Sequence, residues 1–174
     1  MKIVVYTVGH STRTIEEFVE LLEAYKIKTV IDVRKIAKSR HNPQFGEDKL
    51  SESLEHRGIM YKRMEELGGL RHTTDASVNK AWKNLSFRGY ADYMQTPEFT
   101  KSIEELIGTA GENQTAIMCA EAVPWRCHRS LVGDALVIRG ICVEDIMNEK
   151  ASRPHKLTSF AKVDGKTITY PATI

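Results

Sequence analysis

The sequence predicts an α/β fold in three layers, with helices on both faces of a mostly parallel sheet and a β-hairpin at the C-terminus. Three observations predict it. Short β-branched runs alternate with segments of helical period along 174 residues, the order expected of parallel strands joined by crossover helices. Residues with chemical function fall directly after those runs. Near the end, Asp164-Gly165 sits between two β-prone stretches, a strong hairpin signal.

Taken in order, Ile3 to Val8 is a β-branched run closed by Gly9. Thr14-Ile15-Glu16-Glu17 has capping-box form ahead of Phe18, Leu21, Leu22 and Tyr25 at helical spacing. Thr29 to Arg34 reads as a second, buried strand followed by a basic loop. Asp48 to Arg57 is a helix stopped by Gly58, and a third strand lies around Ile59 to Met64. Helical pieces are expected near Ser77 to Lys83 and Tyr90 to Met94, before a longer helix opened by Thr96-Pro97 and running to about Thr109. Thr115 to Met118 is the fourth strand, Leu131 to Arg139 a helix closed at Gly140, and Ile141 to Met147 the fifth strand. Together these elements make a single-domain, Rossmann-like three-layer sandwich. Residues 1–150 are expected to form the α/β domain and residues 151–174 a hairpin-bearing extension packed on it, with Lys150 to His155 as the hinge.

Length suits one domain with a sizeable core. Charged residues are 28% of the chain with a formal net charge of +2, so bulk charge does not mark a general nucleic-acid binder. No apolar run approaches the roughly 20 residues of a membrane helix, and the N-terminus lacks signal-peptide organisation. A cytoplasmic protein with no membrane contact is expected. Its three cysteines cannot all pair within one chain, and thiols in the cytosol are more often structural, catalytic or metal-bound than bridged. Cys142, inside an apolar segment, is expected in the core.

The polar segments after strands one to four are Gly9-His10-Ser11-Thr12, Asp32 to Phe45, Leu67 to His72, and Cys119 to Arg129. In a parallel sheet all four open on one rim, the edge where open α/β sheets bind ligands. His10, Arg34, Lys35, Lys38, Arg40, His41, Arg71, His72, Arg126, His128 and Arg129 are set there against few acids, chiefly Asp32 and Glu121. Such a rim attracts an anion, most simply a phosphate or a nucleic-acid backbone. Taken singly, each of these charges is as readily an ordinary solvated loop residue.

Several of these stretches together resemble one family: Thr7 to Thr12, Ile31 to Arg34, Ser39 to Phe45, Glu66 to Gly69, Phe87 to Met94, and Cys119 to Ser130. The chain is similar over residues 4 to 147 to the DUF488 family of small prokaryotic proteins. The family carries no assigned function, so the resemblance implies little about activity. Many relatives have a proline near Ala37, which this chain lacks. A weaker similarity links Ile31 to Arg34 and Ile117 to Ser130 with rhodanese-like sulfur-transfer domains, although the interval from Cys119 to Arg129 is longer here and holds a second cysteine and a proline.

As chemistry, Cys127-His128-Arg129 stands at a helix start, where unpaired N–H groups and the dipole favour a thiolate. Arg126 and Arg129 act in the same direction. Cys119, at a strand end, is a candidate nucleophile or resolving partner, or a small core residue. His10 and His128 are candidate general acids or bases, and Asp32 would orient an imidazole or pair with Arg34. Ser11, Arg34, Arg40, Arg88, Tyr90, Glu121, Arg126 and Arg129 are the candidate anion- or substrate-binding residues. Zinc at Cys119, Cys127, His128 and His10 is disfavoured, because the cysteines lack the short spacing of common zinc knuckles. No metal and no cofactor are expected.

Trp82, Phe87, Tyr90 and Tyr93 read first as core, since Tyr90 and Tyr93 share a helix face. With Arg88 alongside, an exposed ring would instead stack on a base. Neither GxGxxG nor GxxxxGK[ST] occurs, which argues against dinucleotide and P-loop NTPase readings. Gly68-Gly69 marks a tight turn or a close backbone approach. The expectation is an enzyme using Cys, His and Arg residues on an anionic small molecule, a nucleotide or another nucleic-acid-related substrate, as a cysteine-dependent transferase or hydrolase. The competing expectation is a non-catalytic nucleotide or nucleic-acid binding module with structural or redox-sensing cysteines. Sequence leaves the oligomeric state open.

Overall fold

Continuous β-branched and apolar runs become strands buried on both faces, as parallel sheets require. In the computed structural model, which describes residues 2–173, the strands are β1 (Val4–Gly9), β2 (Thr29–Asp32), β3 (Met60–Arg63), β4 (Thr115–Cys119), β5 (Cys142–Asn148) and β6 (Ala151–Pro154). They form one sheet in the order β3-β2-β4-β1-β5-β6. Every pairing is parallel except β5 with β6. The helices are α1 (Ile15–Ala24), α2 (Glu47–His56), α3 (Leu85–Tyr93), α4 (Pro97–Glu112) and α5 (Arg129–Val137).

Side chains alternate across the strands, so two cores form. Val8, Val30, Ala116 and Met118 pack with Phe18 and Leu22 of α1 and Leu50 and Leu54 of α2. Val5, Ile31, Ile117 and Cys119 pack on the other face with Tyr90 of α3, Phe99, Ile103 and Leu106 of α4, and Leu131 and Leu136 of α5. This is a three-layer α/β sandwich. Local signals match their elements: the Thr14 side chain accepts from the Glu17 N–H at 3.1 Å while Glu17 accepts from the Thr14 N–H at 2.8 Å, and Thr96 caps α4 ahead of Pro97. The hairpin around Asp164-Gly165 forms as β7 (Lys162–Asp164) and β8 (Thr167–Thr169). Ile168 and Tyr170 join the core shared by α4 and α5.

Four expectations are corrected. Ser77 to Lys83 is not a helix; Thr73, Ser77 and Asn79 side chains bind the Asp92 carboxylate, and such local polar bonds compete with helix formation. The helix near Tyr90 begins earlier, because Asn84 caps it by accepting from the Ser86 and Phe87 N–H groups. Lys150 to His155 is not a hinge but contains β6, whose edge pairing gives the segment a fixed register on β5. Cys142 is half-buried rather than core, since it opens β5 at the sheet's amino end. Among the described residues, no helix is long and apolar enough to cross a membrane.

Candidate active site

The sheet order makes β2, β4 and β1 neighbours, and their carboxyl ends carry Asp32 to Arg34, Cys119 and His10. Backbone bonds continue the ladder past the strands: the His10 N–H donates to the Cys119 carbonyl at 2.9 Å, the Ser11 N–H to Ala120 at 2.9 Å, and the Val33 N–H to Met118 at 3.0 Å. Three distant sequence segments are thereby held side by side. The crossing is tight enough that a Cβ on Gly9 would stand 1.8 Å from the Glu121 carbonyl oxygen, so only glycine fits there.

Above these ends lies a cavity of about 360 Å³. His10, Arg34, Tyr90, Cys119, Glu121, Arg126, Cys127 and His128 line it, eight residues named from sequence. Lys35, Lys38, Gly69, Ile36, Leu70 and Phe87 complete much of the wall, and none of the six is among the catalytic or anion-binding candidates of the sequence. Lys35 and Lys38 belong to the basic loop, and that charge was their only sequence signal. Phe87 belongs to the aromatic segment whose exposed ring would stack on a base, whereas Ile36 and Leu70 carry no sequence signal because they meet the site only through the fold.

At the cavity floor the Cys119 and Cys127 sulfurs are 2.9 Å apart, and both thiols are free. Cys127 is the thiol that ionises first, and its thiolate then accepts from Cys119. Burial pushes the Cys119 thiol well up, and its hydrogen bond with Cys127 adds to this. That same bond, received by Cys127, lowers the Cys127 thiol to about 7 from an ordinary 9; burial opposes the shift, while the Arg129 backbone N–H and guanidinium assist it.

His128 completes the arrangement. One ring nitrogen, Nε2, lies 2.8 Å from the Val33 carbonyl, which can only accept. That assigns the proton to Nε2 and leaves Nδ1 bare, 3.4 Å from the Cys127 sulfur. Burial holds the imidazole neutral by lowering its pKa. The Tyr90 ring packs 5.0 Å from it and the Tyr90 hydroxyl donates to Leu67 at 2.8 Å. A Cβ on Gly69 would come within 3.1 Å of His128 Nδ1, so Gly68-Gly69 serves a close approach.

His10 follows the same logic. Its Nδ1 donates to the Ser11 carbonyl at 2.8 Å, leaving Nε2 to accept from Arg34 Nη1 at 3.5 Å. Ser11, in the left-handed region at φ 51, turns its carbonyl to that bond. The ring stacks on Phe45 at 4.3 Å, and burial lowers its pKa. Asp32 does not touch either imidazole: it accepts from Arg34 Nε at 2.9 Å and Nη2 at 2.7 Å, and from the Tyr61 hydroxyl at 2.5 Å. Arg34 stays charged because Asp32 overcomes the burial that disfavours it. Its Nη1 is the part left facing His10 and the cavity.

The remaining candidates are placed elsewhere. Arg129 is buried, with Nη2 donating to the Glu121 carbonyl at 2.7 Å and Nη1 to Thr7 Oγ1 at 3.1 Å, so it braces the loop. Arg88 donates to the Trp82 carbonyl at 3.0 Å, bracing the turn before α3. Arg40 is exposed and, like Ser11, Asp32, Arg88 and Arg129, does not line the cavity. Among the described residues no group of three or more His, Cys, Asp or Glu side chains is arranged to hold a metal ion.

Fold and site together define an α/β protein with a paired-thiol and imidazole cavity at the carboxyl edge of a parallel sheet. The chain belongs to the DUF488 family: the model described as domain of unknown function DUF488 matches residues 14–136, from the start of α1 into α5. No curated protein and no solved structure matches the chain.

Proposed function

We propose that this protein is a cysteine-dependent enzyme acting on an anionic small molecule, of the phosphate-bearing, nucleotide or nucleic-acid-related class, in the cytoplasm. One observation carries the reading: Cys127, lowered to about 7, lines a cavity beside the bare Nδ1 of a histidine whose tautomer a backbone carbonyl fixes. A thiolate is the nucleophilic form of cysteine, and a neighbouring imidazole that takes its proton is the usual means of producing it.

Cys127 attacks the electrophilic atom of the substrate while His128 Nδ1 holds the thiol proton and returns it to the leaving group. Arg34 Nη1, Lys35, Lys38 and Arg126 hold the anionic portion, in a low-dielectric setting where such contacts are strong. Ile36, Leu70 and Phe87 supply an apolar wall that suits a base or another flat ring. His10, kept neutral with Nε2 toward Arg34, sets the guanidinium and accepts a proton at that atom.

The test is the rate of iodoacetamide alkylation at each cysteine, read peptide by peptide over a pH series, with thermal shifts measured against phosphate and nucleotides. Cys127 should react first, with a midpoint near 7, and an anion should raise the melting temperature and protect it. Anion binding with two sluggish thiols would favour the non-catalytic binding module. Neither effect would remove both readings.

A further inference from the structure

We propose that Cys119 is the resolving thiol of a dithiol–disulfide cycle, so that the substrate attacked by Cys127 is an anionic disulfide reduced at the cavity floor. This rests on the reading of Cys127 as nucleophile and narrows its substrate to compounds whose electrophilic atom is sulfur.

The geometry supplies the argument. Cys119 and Cys127 come from opposite ends of the loop between β4 and α5, yet their sulfurs meet at 2.9 Å. They need to close by less than about 1 Å to reach the roughly 2.05 Å of a disulfide bond. The unequal pair suits an ordered exchange: both cysteines line the cavity, Cys127 with 8% of its surface open and Cys119 with 2%. An incoming disulfide reaches Cys127 first. A phosphoryl or acyl group on Cys127 would leave the Cys119 sulfur beside it without a part in turnover, whereas a mixed disulfide gives that sulfur an electrophile in contact.

The steps balance. Cys127 thiolate attacks one sulfur of R–S–S–R, forming Cys127–S–S–R and expelling RS⁻. Cys119 then attacks the Cys127 sulfur, its proton passing to His128 Nδ1 and on to the second RS⁻. The Cys127–S–R bond breaks and a Cys119–Cys127 disulfide forms. The substrate gains two electrons and leaves as two thiols; the protein loses two and is restored by a small dithiol reductant. Once Cys127 is in the mixed disulfide it carries no negative charge, so the repulsion that helps hold Cys119 protonated is gone, and the Arg129 guanidinium favours the thiolate at Cys119.

The experiment uses reduced protein carrying Cys142→Ser, with 5,5′-dithiobis(2-nitrobenzoate), an anionic aromatic disulfide, at one equivalent. The parent should release two equivalents of thionitrobenzoate and show a Cys119–Cys127 cross-link in a non-reducing peptide map, reversed by dithiothreitol. Cys119→Ala and Cys119→Ser should each release one equivalent and retain a mixed disulfide on Cys127, and concordance of the two variants excludes a folding defect as the cause. One equivalent and a stable adduct on the parent would overturn the resolving role while leaving Cys127 a nucleophile. A Cys127 that reacts no faster than Cys142 does in the unmodified chain would overturn both readings.

Discussion

Two buried clusters of titratable groups lie on either side of Arg129, and they differ in how their bonding capacity is used. On one side is the cavity with Cys119, Cys127 and His128, where Nδ1 of His128 and the Cys127 sulfur face open space and each other. On the other side Asp134 accepts from His155 Nε2 at 2.8 Å, Thr158 Oγ1 at 2.6 Å, the Thr158 N–H at 3.1 Å and the Tyr170 hydroxyl at 2.8 Å. His155 also faces Asp145, which accepts from Thr7 at 2.5 Å, and Thr7 in turn accepts from Arg129. The second cluster is closed. Burial with every valence satisfied makes a clamp, here joining the segment after β6 and the hairpin to α5. Burial with a free lone pair and a displaceable proton leaves the bonding capacity that the proposed nucleophile needs.

The largest way to break this contrast is Asp134→Ala, which strands His155, Thr158 and Tyr170 in the interior. It should cost about 3–5 kcal/mol in urea unfolding, whereas Cys127→Ser should cost less than about 1 kcal/mol. Equal losses would mean that the cysteine cluster is also a clamp.

The two clusters should also oppose each other in pH. Burial pulls His155 down, but its bonds to Asp134 and Asp145 prevail and raise it to about 9 from 6.5. Its contribution, on the order of 3 kcal/mol, is full below about pH 6.5 and lost as pH rises through 9. Cys127 has the reverse sign: its lowered pKa contributes stability that is full above 9 and lost as pH falls through 7. His155→Gln should flatten the falling limb of stability between pH 7 and 9, and Cys127→Ser should steepen it. Identical profiles would refute the assignment.

A smaller effect is expected from Gly69→Ala, whose new methyl presses on His128 Nδ1. Alkylation of Cys127 should slow by roughly 10-fold, within the range of an imidazole's catalytic contribution, with stability changed by under about 1 kcal/mol. The smallest is Arg40→Ala, which should leave anion binding unchanged, while Arg34→Lys weakens it because lysine cannot keep the paired bonds to Asp32. An Arg40 effect as large as that of Arg34 would place the anion outside the cavity.

Much of the architecture was legible in the chain itself. The capping box at Thr14, the Thr96-Pro97 start and the Asp164-Gly165 turn act over a few residues, so their chemistry can be read locally. The alternation of β and α segments likewise placed His10, Arg34, Cys119, Cys127 and His128 at one edge. The edge strand β6 was not legible, because Ala151 to Pro154 has no β pattern of its own and is ordered by pairing with β5. Nor was the helix-like reading of Ser77 to Lys83 safe, since the Asp92 carboxylate that captures its side chains lies more than a helical turn away in sequence.

The sequence alone determined which titratable groups the protein carries and, through the alternation of strands and helices in a parallel sheet, which edge they share. Only the tertiary structure decided their work. Arg34 and Arg129 look alike as loop cations, yet Asp32 leaves one with a free Nη1 at the cavity while Glu121 and Thr7 bind the other as a brace. His128 and His155 are both buried imidazoles; burial keeps the first neutral while a backbone carbonyl fixes its tautomer, and two carboxylates charge the second. Hydrogen-bond partners and solvent exclusion set these outcomes, and both arise from residues far apart in the chain.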